Sequence, residues 1–213
     1  MSNIFIPSTR IIGRMPNYTP EEMKQENMIF NGDREFSYYQ SGKITRRFIE
    51  NFLDEDKDWI IDTRVHMLMK DWYPCIGGWH CDDIPRDEIT KQPNYKDPDY
   101  ISEHILCVID SGTGSLTEFV DGRLELSNVP NDKQVYEHFN KEINELVDDN
   151  KLNTQQFKSG DVLSFNSMTF HQGQPAVNKG FRMFIRATTN TQRKPRNEIR
   201  KQTNVYLDTN KGW

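Results

Sequence analysis

Apolar and polar positions follow two rhythms along the chain, and each rhythm marks a different kind of element. In residues 43–54, Ile44, Phe48, Phe52 and Leu53 share one stripe at the three-to-four spacing of an amphipathic helix. Residues 131–148 repeat the pattern with Val135, Phe139, Ile143, Leu146 and Val147. A third helix is expected over residues 19–30: Thr19 suits the N-cap, Pro20 the first turn, and Glu21 and Glu22 the positive end of the helix dipole. Elsewhere the period shortens to two. Residues 64–73, 103–110, 116–120, 160–165 and 180–188 read as short strands, separated by the turn signals SGTG, KSGD and NKG. Many short strands with a few amphipathic helices predict a mainly β fold with flanking helices, a sandwich or jelly roll.

The last of these strands is the most informative. Phe181, Met183, Ile185 and Ala187 alternate with Arg182, Phe184, Arg186 and Thr188, so one face is apolar and the other carries two arginines. If that second face lines an interior, its guanidinium groups require an anionic partner, because an unpaired buried charge is costly. Residues 83–99, polar and broken by Pro85, Pro93 and Pro98, form no regular element and read either as a mobile flap or as an ordinary surface excursion.

Length and composition narrow the picture. A chain of 213 residues fits one compact domain, with residues 1–60 as an N-terminal helical decoration and 189–213 as a basic C-terminal tail. That tail holds Arg193, Lys194, Arg196, Arg200 and Lys201 and is expected to be a solvated terminus. The net charge of -5 argues against a surface devoted to nucleic acid. Three cysteines, Cys75, Cys81 and Cys107, form no CxxC pair and leave one odd, which suits a reducing, cytoplasmic setting. Neither a signal peptide nor a membrane span is expected.

Candidate chemistry centres on His80-Cys81-Asp82. In an extended segment the imidazole and the carboxylate project from the same side, while Cys81 and Asp83 point the other way. His-x-Asp alone is weak in a chain with five histidines. His171, after the strand-like GDVLSF and before Gln172-Gly173, can face the first pair. Two histidines and one carboxylate on one face of an ion leave three positions open, the arrangement of non-haem Fe(II) oxygenases; a structural zinc site would be closed by four ligands. His66, His104 and His138 lack a carboxylate at matching spacing and read as packed or surface histidines.

His-x-Asp, the distal His171 and Arg182 eleven residues beyond it resemble the Fe(II)/2-oxoglutarate-dependent dioxygenase superfamily. Arg186, four residues further, resembles the taurine dioxygenase and phytanoyl-CoA hydroxylase branches, and GTGSLTEF is similar to a Gly-rich strand of the former that carries a 2-oxoglutarate-binding Thr, here Thr117. The resemblance covers residues 72–188. It implies a double-stranded β-helix, with His80, Asp82 and His171 as metal ligands and catalytic centre. It also implies Arg182 on the distal carboxylate of 2-oxoglutarate, Thr117 beside it, and Arg186 serving co-substrate or substrate. Fe(II) with 2-oxoglutarate and O2 as co-substrates would then hydroxylate a C–H bond, releasing succinate and CO2; an Asp at 82 favours hydroxylation over halogenation.

Two rival readings remain: a cupin-type metalloenzyme needing no 2-oxoglutarate, and a non-catalytic jelly-roll binding module in which the arginines form structural ion pairs. A small-molecule substrate ranks first, a peptide or protein side chain second and nucleic acid third, with no membrane partner. Trp72, Tyr73, Trp79, Asp83, Arg86 and Arg186 are the residues from which a substrate pocket would be built.

Overall fold

The computed structural model describes residues 3–96, 98–127 and 135–207. In chain order the elements are β1 (Asn3–Phe5), β2 (Arg10–Arg14), α1 (Pro20–Lys24), β3 (Ile29–Phe30), α2 (Arg34–Gln40), α3 (Lys43–Phe52), β4 (Ile60–Leu68) and β5 (Glu103–Asp110). There follow β6 (Thr117–Asp121), β7 (Leu124–Leu126), α4 (Val135–Asp148), β8 (Asn153–Gln156), β9 (Asp161–Asn166), β10 (His171–Gly173), β11 (Gly180–Thr189) and β12 (Glu198–Ile199). The fold is mainly β and its named strands pair antiparallel. A five-stranded sheet runs β2-β9-β5-β11-β4 and a three-stranded sheet runs β10-β6-β8; β1 pairs with β7 and β12 with β3.

β11 lies between β4, paired over Gly180–Thr188, and β5, paired over Arg182–Thr189. Its two faces separate as its alternation predicts. Met183, Ile185 and Ala187 pack with Ile105, Cys107, Ile109 and Val162 beneath Met23 of α1 and Ile44, Phe48 and Ile49 of α3. On the other face, Phe184 joins Leu106, Val108, Leu163 and Phe165 against Phe119 of the three-stranded sheet. α4 covers that smaller sheet from outside, placing Val135, Phe139 and Ile143 with Trp79, Val120 and Phe170. Complete burial of a Phe or Ile side chain contributes about 1.5–3 kcal/mol each, so the helices are held by these stripes more than by propensity.

Local departures from the expected elements have visible causes. Thr19 and Glu22 form a reciprocal capping box, but the helix ends at Lys24 rather than near Phe30. Glu26 leaves the helix to accept hydrogen bonds from the Ile44 and Thr45 amides, capping α3, and Ile29–Phe30 pair with β12. The strand expected over residues 64–73 lies at Ile60–Leu68, because β11 pairs Gly180 with Leu68 and Thr188 with Ile60. The first four residues of the helix expected over 131–148 lie outside the described residues; from Val135 onward it is α4. The first 60 residues are more than a helical decoration, since β2 is an edge strand of the main sheet.

The basic tail is exposed at most of its described residues, as expected of a solvated segment, but ion pairs tie it to the body at a few points. Arg200 donates to the buried Asp62 carboxylate at 2.6 and 3.2 Å and lies over the Phe30 ring, as does Arg196. Arg193 pairs with Asp83 at 2.6 Å, and Tyr206 exchanges backbone hydrogen bonds with Tyr73. The described residues of 83–99 are likewise anchored: Ile84 and Tyr95 are buried in the cluster beneath α4, leaving the stretch around Asp87–Lys91 exposed.

Candidate metal centre

His80 and His171 meet as an isolated antiparallel bridge, each amide donating to the other's carbonyl at 3.0 Å. The pairing fixes the segment bearing His80 and Asp82 against β10. α4 holds the same segment from the other side. Asn140 accepts from the Trp79 amide and donates to its carbonyl, and the Trp79 indole N–H donates to Asn144 at 3.0 Å. Gly78 sits at φ +103, and any Cβ there would meet the Asn140 side chain, so the close approach requires glycine. Cys81 is buried in the core, as expected of an extended segment, whereas Asp83 takes a positive φ of 58° and pairs with Arg193, so the chain turns there and strand alternation ends at Asp82.

Ligand atoms of His80, Asp82 and His171 all lie within 4.8 Å of one another, so the triad is capable of holding a metal ion. Nδ1–H of His80 donates to the Gly78 carbonyl at 2.9 Å, and Nδ1–H of His171 to the Thr169 carbonyl at 3.0 Å. Backbone contacts of this kind orient the ring and present Nε2 to a metal. Nε2 of His171 lies 3.2 Å from Asp82 Oδ2. Two donor atoms held about 2.1 Å from one ion at right angles are about 3 Å apart, close to this separation. The donor set therefore fits a metal. Phe119 and Phe165 brace the His171 ring at centroid distances of 5.4 and 5.3 Å.

Electrostatics keep His80 and Asp82 deprotonated. Burial, aided by His171, pushes the His80 pKa down to about 4. Burial alone would raise Asp82, but the guanidinium of Arg186, which ion-pairs with it, and the His171 ring hold it well below the usual carboxylate range. Arg186 is buried too; the charges of Asp82 and Asp62 outweigh that burial and hold its pKa above the ordinary value.

The triad opens on an inner cavity of about 220 Å³, whose walls include Thr117, Phe165, Arg182, Phe184 and Arg186. The six residues expected to form the metal and co-substrate site therefore line one space, whereas Trp72, Tyr73, Trp79, Asp83 and Arg86 do not line it. Arg182 is 3% exposed, donates from Nε to the Ser115 carbonyl at 2.6 Å and, among the described residues, makes no ion pair. Asp110 lies opposite it in the sheet, but that carboxylate accepts from the amides of Gly112, Thr113 and Gly114. Burial chiefly lowers the Arg182 pKa to about 10, leaving it a cation at neutral pH. Gly112 and Gly114 adopt positive φ in this turn, the physical role of the glycines in SGTG.

On the other side of His80 and Asp82 lies a more open groove of about 550 Å³, bordered by Asp83, Arg86, Tyr100, Tyr136 and Arg193. Of the aromatic residues considered for a substrate pocket, Trp79 is buried core. His66 is a cavity residue that sequence spacing missed, since no carboxylate accompanies it; the signal available was its place two residues from Arg64 on an alternating strand. His104 is buried and bonds Thr188, and His138 is a half-buried surface residue, as expected.

No family model matches the sequence, and no curated protein matches it. Solved structures similar to this fold include an N-substituted L-amino acid dioxygenase from Burkholderia ambifaria AMMD, at 13% identity and a TM-score of 0.37, over 59% of this chain and 47% of that one. The same enzyme in complex with α-ketoglutarate matches at 14% identity and 0.37, over 64% and 51%. CytC3 with Fe(II) and α-ketoglutarate matches at 10% identity and 0.36, over 81% and 77%. The chain thus spans about half the length of the first of these proteins.

Proposed function

We propose that the chain is an Fe(II)- and 2-oxoglutarate-dependent oxygenase that hydroxylates an unactivated C–H bond of a small-molecule substrate, with release of succinate and CO2. The two facing sheets are read as a double-stranded β-helix. The observation that carries the proposal is that one 220 Å³ cavity holds both a three-donor metal triad and a buried arginine without an ion partner among the described residues.

His80, Asp82 and His171 would hold iron on one face and leave positions for the 2-oxo acid and O2. When bound, iron supplies the oxygen activation and the oxidation of the 2-oxo acid. The remaining work belongs to the chain's own residues. Arg182 receives the distal carboxylate and so sets the orientation of the co-substrate, with Thr117 on the adjoining wall. Arg186 keeps Asp82 ionised and lies near the chelating end. Leu106, Phe165 and Phe184 exclude water from the cavity. The outer groove, sharing His80 and Asp82, is the route by which the substrate reaches the centre. The three free cysteines fit a reducing interior such as the cytoplasm.

Zn(II), Ni(II) and Cu(II) bind such donors more tightly than Fe(II), so the protein is first stripped with chelator. Anaerobic addition of Fe(II) and 2-oxoglutarate should then give a weak visible charge-transfer absorption that is lost in His80→Ala and Asp82→Ala. No absorption in the intact protein rejects the proposal, and metal binding without a response to 2-oxoglutarate identifies a cupin-type metalloenzyme instead.

A further inference from the structure

His66 stands on β4 directly opposite Arg182 of β11, on the face that lines the inner cavity. It is 2% exposed, and its ring nitrogens make no hydrogen bond of full geometry among the described residues, the backbone of Asn204 offering one of them a weak contact. At least one ring nitrogen is thus left unsatisfied on the cavity side, which is costly, and native interiors rarely keep such a group without use for it. Its surroundings are specific. Among the described residues Arg182 has no ion partner, and the Nε of Arg64, two residues from His66 on β4, is also buried and unsatisfied. Cys75 on the same wall is a neutral thiol, its pKa raised by burial. The Asp110 carboxylate is taken up by its own turn.

We propose that His66 binds the co-substrate directly, donating an imidazole N–H to the same distal carboxylate that Arg182 receives. The inference rests on the 2-oxoglutarate reading above and adds a residue and a selectivity to it. Burial, with the charges of Arg182 and Arg64, pushes the His66 pKa down to about 3, although the Asn204 backbone raises its basicity slightly; the ring is thus a neutral donor. A neutral donor suits a wall that already carries Arg64, Arg182 and Arg186. It adds a directional bond to the carboxylate without another charge to bury. A 2-oxo acid lacking the distal carboxylate would leave His66 and Arg182 both unsatisfied, which is how a polar site rejects an apolar analogue.

The test compares 2-oxoglutarate with 2-oxopentanoate, which keeps the chelating end and lacks the second carboxylate. Calorimetric titration of the anaerobic Fe(II)-loaded protein should show His66→Ala weakening 2-oxoglutarate about tenfold or more, the size expected for a hydrogen bond to a charged group, with 2-oxopentanoate unchanged. His66→Gln, which keeps an N–H donor, should recover much of the loss, and Arg182→Ala should lose more than either. An unchanged 2-oxoglutarate affinity in folded His66→Ala, or an equal loss for both acids, overturns the role of His66 while leaving Arg182 in place. A wild-type protein that binds neither acid removes the parent proposal and this one together. If the variants fail to fold, ¹⁵N-imidazole NMR of the wild-type Zn(II) form decides. The His66 ring signals should shift with 2-oxoglutarate and not with 2-oxopentanoate, and the absence of a shift with either rejects the assignment.

Discussion

At the scale of single residues, the centre is defined by what holds Asp82 in place. Its carboxylate is shared by Arg186 and the His171 ring, and its side chain is 23% exposed, whereas that of Arg186 is 10% exposed. Removing one member of a buried ion pair leaves the other charged and unpartnered, a loss of 3–5 kcal/mol for fully buried pairs. With the residual exposure of Asp82, Arg186→Leu should destabilise the metal-free protein by about 3 kcal/mol. A divalent ion should restore part of that loss, because it replaces the guanidinium as the partner of the carboxylate. Urea denaturation with and without Zn(II) measures both effects. An equal loss in the two conditions would show that Asp82 does not bind the ion.

At the scale of elements, α4 is a positioning helix for the metal centre. Its outer residues are solvated, but Asn140 and Asn144 hold Trp79 immediately before His80, and Asn140 also donates to the Tyr136 carbonyl. Asn140→Ala removes hydrogen bonds worth about 1–3 kcal/mol and frees the His80 segment to shift. Metal affinity, measured by competition with a chromogenic chelator, should fall about tenfold, as for other residues that orient ligands from behind. Unaltered affinity would confine Asn140 to stability alone. The helix pattern over residues 131–148 was legible, but its asparagines carried no signal, because their partners lie 61–65 residues away on a segment without regular structure.

At the scale of the whole molecule, the buried histidines link stability to pH. Burial lowers the pKa of His66 to about 3, His80 to about 4 and His104 to about 3, from an ordinary 6.5. The unfolded chain therefore binds more protons than the folded one in this range. The associated stability is fully present above about pH 6.5 and is lost as pH falls toward 4, at up to about 1.4 kcal/mol per unit for each histidine. Thermal melting of the metal-free protein should show the melting temperature falling steeply from pH 6.5 to 4.5. The slope should be reduced in folded variants that replace His66 or His104 with Gln. A flat profile over that window would mean that these rings are not neutral in the folded state.

The sequence by itself determined the elements that are periodic and local: the helical stripes of α3 and α4, the alternating faces of β11, and the extended His80-x-Asp82 unit with Cys81 on the opposite side. These are visible because side-chain direction follows chain period, which needs no knowledge of neighbours. Short strands such as β3, β7 and β8 were not legible, since two to four residues carry too little pattern and are stabilised by their partners. Tertiary structure alone decided three further matters. It brought His171 to His80 across a bridge of 91 residues, docked the basic tail on Asp62, Asp83 and Phe30, and placed His66 beside Arg182. Each depends on strand register and on which buried charges remain unpaired, and both are properties of the packed sheet rather than of any one segment.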